Sequence, residues 1–280
     1  MDCGSRDNQS PPDFSPPFAS PALHPYLHFV FKRLFSRKPE TPAVVHAAPD
    51  GERIYAIGDI HGRLDLLNYL LAQIEVDSAA RGPAKTTLIS LGDLPDRGPD
   101  SRGVVERLMA LSDRDEIILL AGNHEELMIR CWEGDRQVAA TFNRAGGRAT
   151  LLSYGVTPEQ YDHWDLDEMI AQMPNFIPAS HIDFMKGFHD YYQAGDYLFV
   201  HAGIAPGIAI EDQDPVDLRW IRRSFLESTA DHGVMVIHGH TITQTVDERP
   251  NRIGIDTGAF GSDVLTAIGI EGTDRWFLST

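Results

Sequence analysis

Six side chains of this chain have the types and spacing to hold two cations and present a phosphate to water. They come from five short blocks: Gly58-Asp59-Ile60-His61-Gly62, Gly92-Asp93-Leu94-Pro95-Asp96-Arg97-Gly98, Gly122-Asn123-His124-Glu125, His201-Ala202-Gly203 and Gly239-His240-Thr241. Asp59 and His61 are two residues apart, so on extended chain both point the same way and can grip one cation. Asp93 can bridge two cations with its two oxygens, and Asn123, His201 and His240 complete the second. A carboxylate bridge holds metals about 3.5–4 Å apart, the separation suited to in-line displacement at phosphorus. Oxygen and imidazole ligands without thiolate suit Mn²⁺, with Fe or Zn as alternatives. His124 is placed to protonate a leaving alkoxide, and Asp96 to hold that ring and raise its pKa. Arg97 can clamp phosphate with its planar fork. A second clamp is expected from Trp220-Ile221-Arg222, with Arg222 the first candidate and Arg219 and Arg223 the others.

Each block follows an aliphatic or β-branched run that reads as a buried strand: Ile54–Ile57, Leu88–Leu91, Ile117–Leu120, Tyr197–Val200 and Met235–Ile237. The blocks therefore sit where strands end, the edge at which open α/β sheets bind ligands. Between the first strands the period changes to that of helices, with apolar residues at Leu64, Leu67, Leu70, Leu71 and Ile74. A second helix, capped by Ser101, carries Val104, Val105, Leu108, Met109 and Leu111, and a third runs over Glu125–Trp132. Residues 133–190 read as a helical insertion roofing one side of the site. A helix is expected over 215–228. The late runs Arg252–Asp256, Val264–Ile270 and Trp276–Leu278 lack long helices between them, so antiparallel pairing is expected. The fold class that follows is α/β: a sandwich of two mixed sheets flanked by helices, with a helical insertion. His163, His181, His189 and His232 stand in polar surroundings and read as surface, and His238 as a core or supporting residue.

The net charge of −17 excludes the basic footprint of a nucleic-acid binder. It lies wholly in residues 51–280, because residues 1–50 hold five basic and five acidic side chains. An acidic body that handles phosphate needs local cations, and bound metals supply them. Two cysteines, Cys3 and Cys131, build neither a disulfide framework nor a thiolate zinc site. With no secretory leader pattern and no apolar run of about 18 residues, a cytoplasmic location is expected. Residues 1–50 read as a disordered or linker leader, and 51–280 as the catalytic domain. Within the leader, residues 26–38 are aromatic and apolar and then basic, a composition suited to weak contact with an anionic membrane surface.

The order of the five blocks resembles that of the PPP family of metallophosphoesterases, above all the compact bacterial and phage-type serine/threonine protein phosphatases, over about residues 53–270. The resemblance implies metal ligation by Asp59, His61, Asp93, Asn123, His201 and His240, with His124 and its partner Asp96 as the proton donor. Arg97 and, through the Trp-x-Arg signature, Arg222 are implied to contact phosphate. It further implies Mn²⁺-type dependence and one-step attack by a metal-bridging hydroxide on phosphoserine or phosphothreonine in proteins. Three positions depart from the pattern: Pro95 for valine, Arg63 for cysteine and Arg223 for an acid. A related alternative is hydrolysis of diadenosine polyphosphates. Those enzymes usually read Gly-Asn-His-Asp and Gly-His-Trp, whereas Glu125 and Thr241 here favour the phosphoprotein reading. An alternative of another class is a non-catalytic metal-binding interaction module, against which no ligand position is missing.

Overall fold

The computed structural model describes residues 45–112 and 117–280. The leader segment 26–38 lies outside the described residues. Among those described, the strands form two sheets of five, with orders β10-β9-β1-β2-β3 and β4-β5-β6-β8-β7. The first half of the chain alternates β1 (Glu52–Ile57), α1 (Leu64–Ala80), β2 (Lys85–Ser90), α2 (Ser101–Ser112), β3 (Ile117–Leu119) and α3 (Asn123–Trp132). β1, β2 and β3 run parallel, as crossover helices require. Five helices follow: α4 (Arg136–Phe142), α5 (Arg148–Ser153), α6 (Pro158–His163), α7 (Leu166–Phe176) and α8 (Ala179–Lys186). They share a core of their own with α3, built on Phe142, Leu151, Met169, Met173 and Ile182.

The chain then re-enters sheet structure with β4 (Tyr191–Ala194) and β5 (Tyr197–Val200), the short helices α9 (Pro215–Trp220) and α10 (Arg223–Leu226), and β6 (Met235–His238). It closes with β7 (Asp247–Arg249), β8 (Arg252–Gly254), α11 (Ala259–Ser262), β9 (Thr266–Glu271) and β10 (Asp274–Ser279). Strand alternation assigns the layers. Ile54 and Ala56 of β1 face Phe199 and Ile237 in the core between the sheets. Tyr55 and Ile57 point the other way, onto Leu67 and Leu70 of α1 and Leu108 of α2. Leu198, Val200 and Val236 pack outward on Leu218 and Phe225. Truncating one such buried aromatic, Phe199 for example, costs about 3–5 kcal/mol, comparable to the net stability of a domain.

The structure departs from the sequence reading in several places. The late strands are not uniformly antiparallel: β9 pairs antiparallel with β1 and β10, but β8 lies in the other sheet, parallel to β6. The chain returns along β7, which pairs antiparallel with β8, so β8 lies parallel to β6 without a long crossover helix. The 215–228 segment is two short helices broken at Ile221-Arg222, because Ile221 turns extended and buries its side chain beside Leu218 and Phe225. The α2 cap is not Ser101 but Asp100, whose Oδ1 accepts Gly103 N–H (2.8 Å). Residues 45–50, read as linker, dock on the body: Ala48 is buried and donates its N–H to Gly272 O (2.8 Å). His181 is buried against Tyr154 Oη, not exposed, and His232 is half-buried beside Phe225. His163 and His189 are exposed. His238 is a core residue, with Nε2 on Arg252. Among the described residues no helix is long and apolar enough to cross a membrane.

Candidate active site

β1, β2, β3, β5 and β6 all end at one edge, and the five blocks converge there. The turn after β2 is the centre of the cluster. Asp93 N–H and Leu94 N–H donate to the two oxygens of Glu125 (2.9 and 2.6 Å), and Gly122 N–H donates to the same carboxylate (2.8 Å). Glu125 thus ties the β2 turn to the start of α3. Burial first, then the neighbouring Asp93, pushes its pKa up to about 7, against the pull of those three N–H donors. Asp93 is buried, and its oxygens face opposite ways. Oδ2 lies 3.5 Å from His61 Nε2, and Oδ1 lies 3.4 Å from His201 Nε2. Two groups of donor atoms therefore share Asp93: His61, Asp93 and His124 on one side, and Asp93, His201 and His240 on the other, each group within 4.8 Å.

The imidazoles are oriented by bonds behind them. His61 Nδ1–H donates to Pro95 O (2.9 Å), and His201 Nδ1–H donates to Leu91 O (2.8 Å). Each bond fixes the tautomer and leaves an Nε2 lone pair pointing into the cluster. His201 Nε2 meets Asn123 Oδ1 at 3.1 Å and His240 Nδ1 at 3.2 Å. The Nε2 atoms of His61 and His240 are buried without a hydrogen-bond partner, a cost that buried polar atoms rarely carry. Burial pushes all three rings toward the neutral form, His61 down to about 3. Neutral rings are the form that binds metal.

Asp59 is also buried, and both of its oxygens accept His240 N–H (3.1 and 3.0 Å). Burial, then Asp256, then Asp93 drive its pKa well above the ordinary value. Asp256 is pushed up to about 6, chiefly by burial, and its Oδ2 has no partner. Three buried carboxylates in one cluster repel one another, and each uncompensated buried charge costs several kcal/mol. Lone pairs without donors and acids without counter-charges both call for cations, so the residues present fit a pair of divalent metal ions.

His124, Asp96 and Arg97 form the other half of the site. His124 Nδ1–H donates to Asp96 Oδ2 (2.6 Å). Burial works against its charged ring, but Asp93 and Asp96 overcome it and the pKa lies above the ordinary value. Its Nε2 accepts from Arg97 Nη2 at 3.0 Å, since a guanidinium can only donate. Proton donation from that nitrogen therefore requires Arg97 to turn away, and an incoming phosphate is the natural place for it to go. Asp96 is held by residues outside the blocks. Its N–H is shared between Ser101 Oγ (3.0 Å) and Thr150 Oγ1 (2.9 Å), and Thr150 donates to its Oδ1 (2.5 Å). Arg97 is braced by the same helical insertion: Nε donates to Ala145 O (3.4 Å), and a Cβ at Gly146 would lie 2.6 Å from Arg97 N.

Six non-glycine residues among those described have positive φ, and five are His61, Asp93, Asp96, Arg97 and His240. Such strain costs about 1–3 kcal/mol per residue and persists where the surroundings over-determine it, typically at working sites. Of the three candidates for a second clamp, Arg219 is engaged by Asp190 and Glu126, and Arg223 pairs with Glu227 at the surface. Arg222 is exposed, and its charge lowers the pKa of His201 and His240. Its Nη1 donates to Thr241 Oγ1 (3.3 Å). Asp256 and Thr150 were not among the expected site residues. Asp256 carried a signal: Ile253-Gly254-Ile255-Asp256-Thr257-Gly258 repeats the apolar-run, acid, glycine layout. Thr150, inside a helix of the insertion, carried none.

A two-sheet sandwich whose strand edges assemble buried aspartates and neutral histidines able to hold metal ions defines a metallophosphoesterase. The chain belongs to the calcineurin-like phosphoesterase family, whose model matches residues 52–258. Among curated proteins it is 32% identical over 159 residues to a symmetrical bis(5′-nucleosyl)-tetraphosphatase of Acidovorax sp., covering 57% of this chain and 47% of that one. It is 40% identical over 157 residues to the enzyme of the same name from Yersinia pestis, covering 56% and 44%. The chain thus spans about half the length of the curated relatives it matches. Among solved structures, a putative diadenosine tetraphosphatase superposes with a TM-score of 0.57 at 20% identity, over 85% of this chain and 97% of that one. A cold-active protein tyrosine phosphatase superposes with 0.52 at 16%, over 83% and 81%. These two share the fold.

Proposed function

We propose that the protein is a dinuclear-metal hydrolase of bis(5′-nucleosyl) polyphosphates, cleaving a P–O bond of the phosphate chain with water. The observation that carries this reading is the identity to symmetrical bis(5′-nucleosyl)-tetraphosphatases over more than half of the chain. It replaces phosphoprotein hydrolysis, the reading that Glu125 and Thr241 favoured in the sequence. Asp59, His61, Asp93, Asn123, His201 and His240 would hold the two ions, with Mn²⁺ the expected pair. When bound, such ions neutralise phosphate charge and acidify water. Arg97 binds and orients the phosphate, and Arg222 at the rim adds a second positive charge, which suits a chain of several phosphates. His124, oriented by Asp96, gives its Nε2 proton to the leaving oxygen once Arg97 has moved onto substrate.

A phosphoprotein phosphatase remains the second reading. It is favoured by Thr241, which accepts from the Arg222 guanidinium at the position where dinucleotide hydrolases usually carry tryptophan. One batch of Mn²⁺-loaded protein assayed on diadenosine tetraphosphate and on a phosphoserine peptide tests the proposal. The expected result is a kcat/KM at least tenfold higher for the dinucleotide, with a nucleoside diphosphate as the sole nucleotide product. The opposite preference transfers the site to the second reading.

The clamps give a separate prediction. A hydrogen bond between charged groups is worth about 1.5–3 kcal/mol, so Arg97→Ala should lower kcat/KM roughly 10- to 100-fold, with metal content intact. Arg97→Lys should recover only part, because a point charge cannot hold two oxygens at once. Arg222→Ala should act in the same direction but more weakly, since an exposed charge is screened. Unchanged KM, kcat and phosphate inhibition in Arg222→Ala would remove the second clamp, as Arg219 and Arg223 are already paired.

A further inference from the structure

Phe260 is an exposed aromatic side chain at the mouth of an otherwise polar site. It stands in α11, two residues beyond Gly258, and is 37% exposed. Its ring lies perpendicular to His61 with centroids 5.5 Å apart, and the Arg97 guanidinium sits 4.7 Å over it. Ile242, 48% exposed, comes from the loop after His240 and packs against Gly258, where a Cβ would lie 2.9 Å from Ile242 Cγ2. Two separate segments, each following a site block, therefore border Gly258 with an exposed apolar side chain. A lone exposed apolar residue is ordinary. An aromatic ring in contact with both a proposed metal ligand and a proposed phosphate clamp is placed where the group attached to the phosphate must lie.

The segment is held in position. Gly258 N–H donates to Asp256 Oδ1 (2.9 Å), and Arg63 Nη1 donates to Ala259 O (2.8 Å) and pairs with Asp263. Arg63 is one of the positions that departs from the phosphatase pattern. A ring on a fixed turn, with apolar surface left open to solvent, is a pre-organised stacking surface, and stacking tolerates any base because every base has a π-face.

We propose that Phe260, bordered by Ile242, is the stacking platform for the nucleobase of a nucleoside polyphosphate and determines selectivity for substrates with a flat ring beside the phosphate chain. The proposal deepens the dinucleotide reading and rests on it for the substrate class, but base recognition can be measured apart from turnover. The competing role is a plain wall: Phe260 merely shields His61 and supports Arg97.

The test uses the full-length Mn²⁺-loaded protein and two probes, 1,N6-etheno-ADP followed by its fluorescence, and inorganic diphosphate followed by competition against it. Wild type should bind the etheno nucleotide at least tenfold more tightly than diphosphate. Phe260→Ala should weaken the nucleotide roughly tenfold, within the range found for base–aromatic stacking, and change diphosphate less than twofold. Phe260→Trp should restore or exceed wild-type nucleotide binding, and Ile242→Ala should weaken it mildly. Equal losses for both probes establish the wall and overturn the platform, as does wild-type protein that binds both probes alike. If the platform behaves as stated while the phosphopeptide is the better substrate, the dinucleotide reading fails and the aromatic subsite stands.

Discussion

Asp93→Asn should lower kcat by roughly 10³-fold or more, the scale seen when a central electrostatic group of an active site is lost, and should cost at least one of two metal ions per chain. The substitution keeps the shape and removes the charge. It also replaces one acceptor oxygen with an amide donor. In the wild type, one oxygen faces His61 and the other faces His201, so an amide nitrogen on either side disables one cation position. The backbone should tolerate the change: Asp93 sits at φ 52°, a region that asparagine also enters readily. The Asp93 and Leu94 N–H groups remain tied to Glu125. The protein should therefore fold with little change in Tm while losing metal and turnover. Elemental analysis showing two fully occupied ions in Asp93→Asn would rule out the bridge.

His124→Asn should retain both metal ions and still lose about 10²–10⁴-fold in turnover of an alkyl phosphate, the range of positioned proton transfer. His124 does lie within ligand distance of His61 and Asp93. Its Nε2 lone pair, however, faces the Arg97 guanidinium at 3.0 Å, while Asp93 Oδ2 is 3.7 Å away. Either role requires the guanidinium to leave that lone pair, but Asp93 and the Asp96 carboxylate bonded to Nδ1 favour the charged ring of a proton donor over the neutral ring of a ligand. The loss should be largest for substrates whose leaving oxygen is basic, such as alkyl phosphates, and smaller for aryl phosphates with good leaving groups. Equal losses on both, or loss of a metal ion, would contradict the assignment.

The site was more legible in the sequence than the body around it. Apolar runs ending in Gly-Asp, Gly-Asn or His mark strand ends without knowledge of the strand order, because a buried strand and a sharp turn each need those residue types. Asp256 belongs to the same pattern and could have been read as a sixth block. Thr150 and Gly146 could not. Their roles arise when the insertion packs on the turn carrying Asp96 and Arg97, and such long-range contacts leave no local period. The break at Ile221-Arg222 was equally hidden, because neither glycine nor proline marks it and tertiary burial of Ile221 overrides helix propensity. Strand order also lay beyond local patterns: β8 reads like its neighbours but joins the opposite sheet. The side chains proposed to set substrate choice, Phe260, Ile242 and Thr241, border the cluster rather than form it.

We propose that two cations, shared through Asp93, make this chain a hydrolase. Metal-free protein titrated with Mn²⁺, with bound metal and diadenosine tetraphosphate hydrolysis read in the same samples, tests it most directly. The expected result is two ions bound per chain, with turnover absent in metal-free protein and rising to its maximum only as the second ion binds. Full turnover with one ion per chain, or hydrolysis by the metal-free protein, would contradict it.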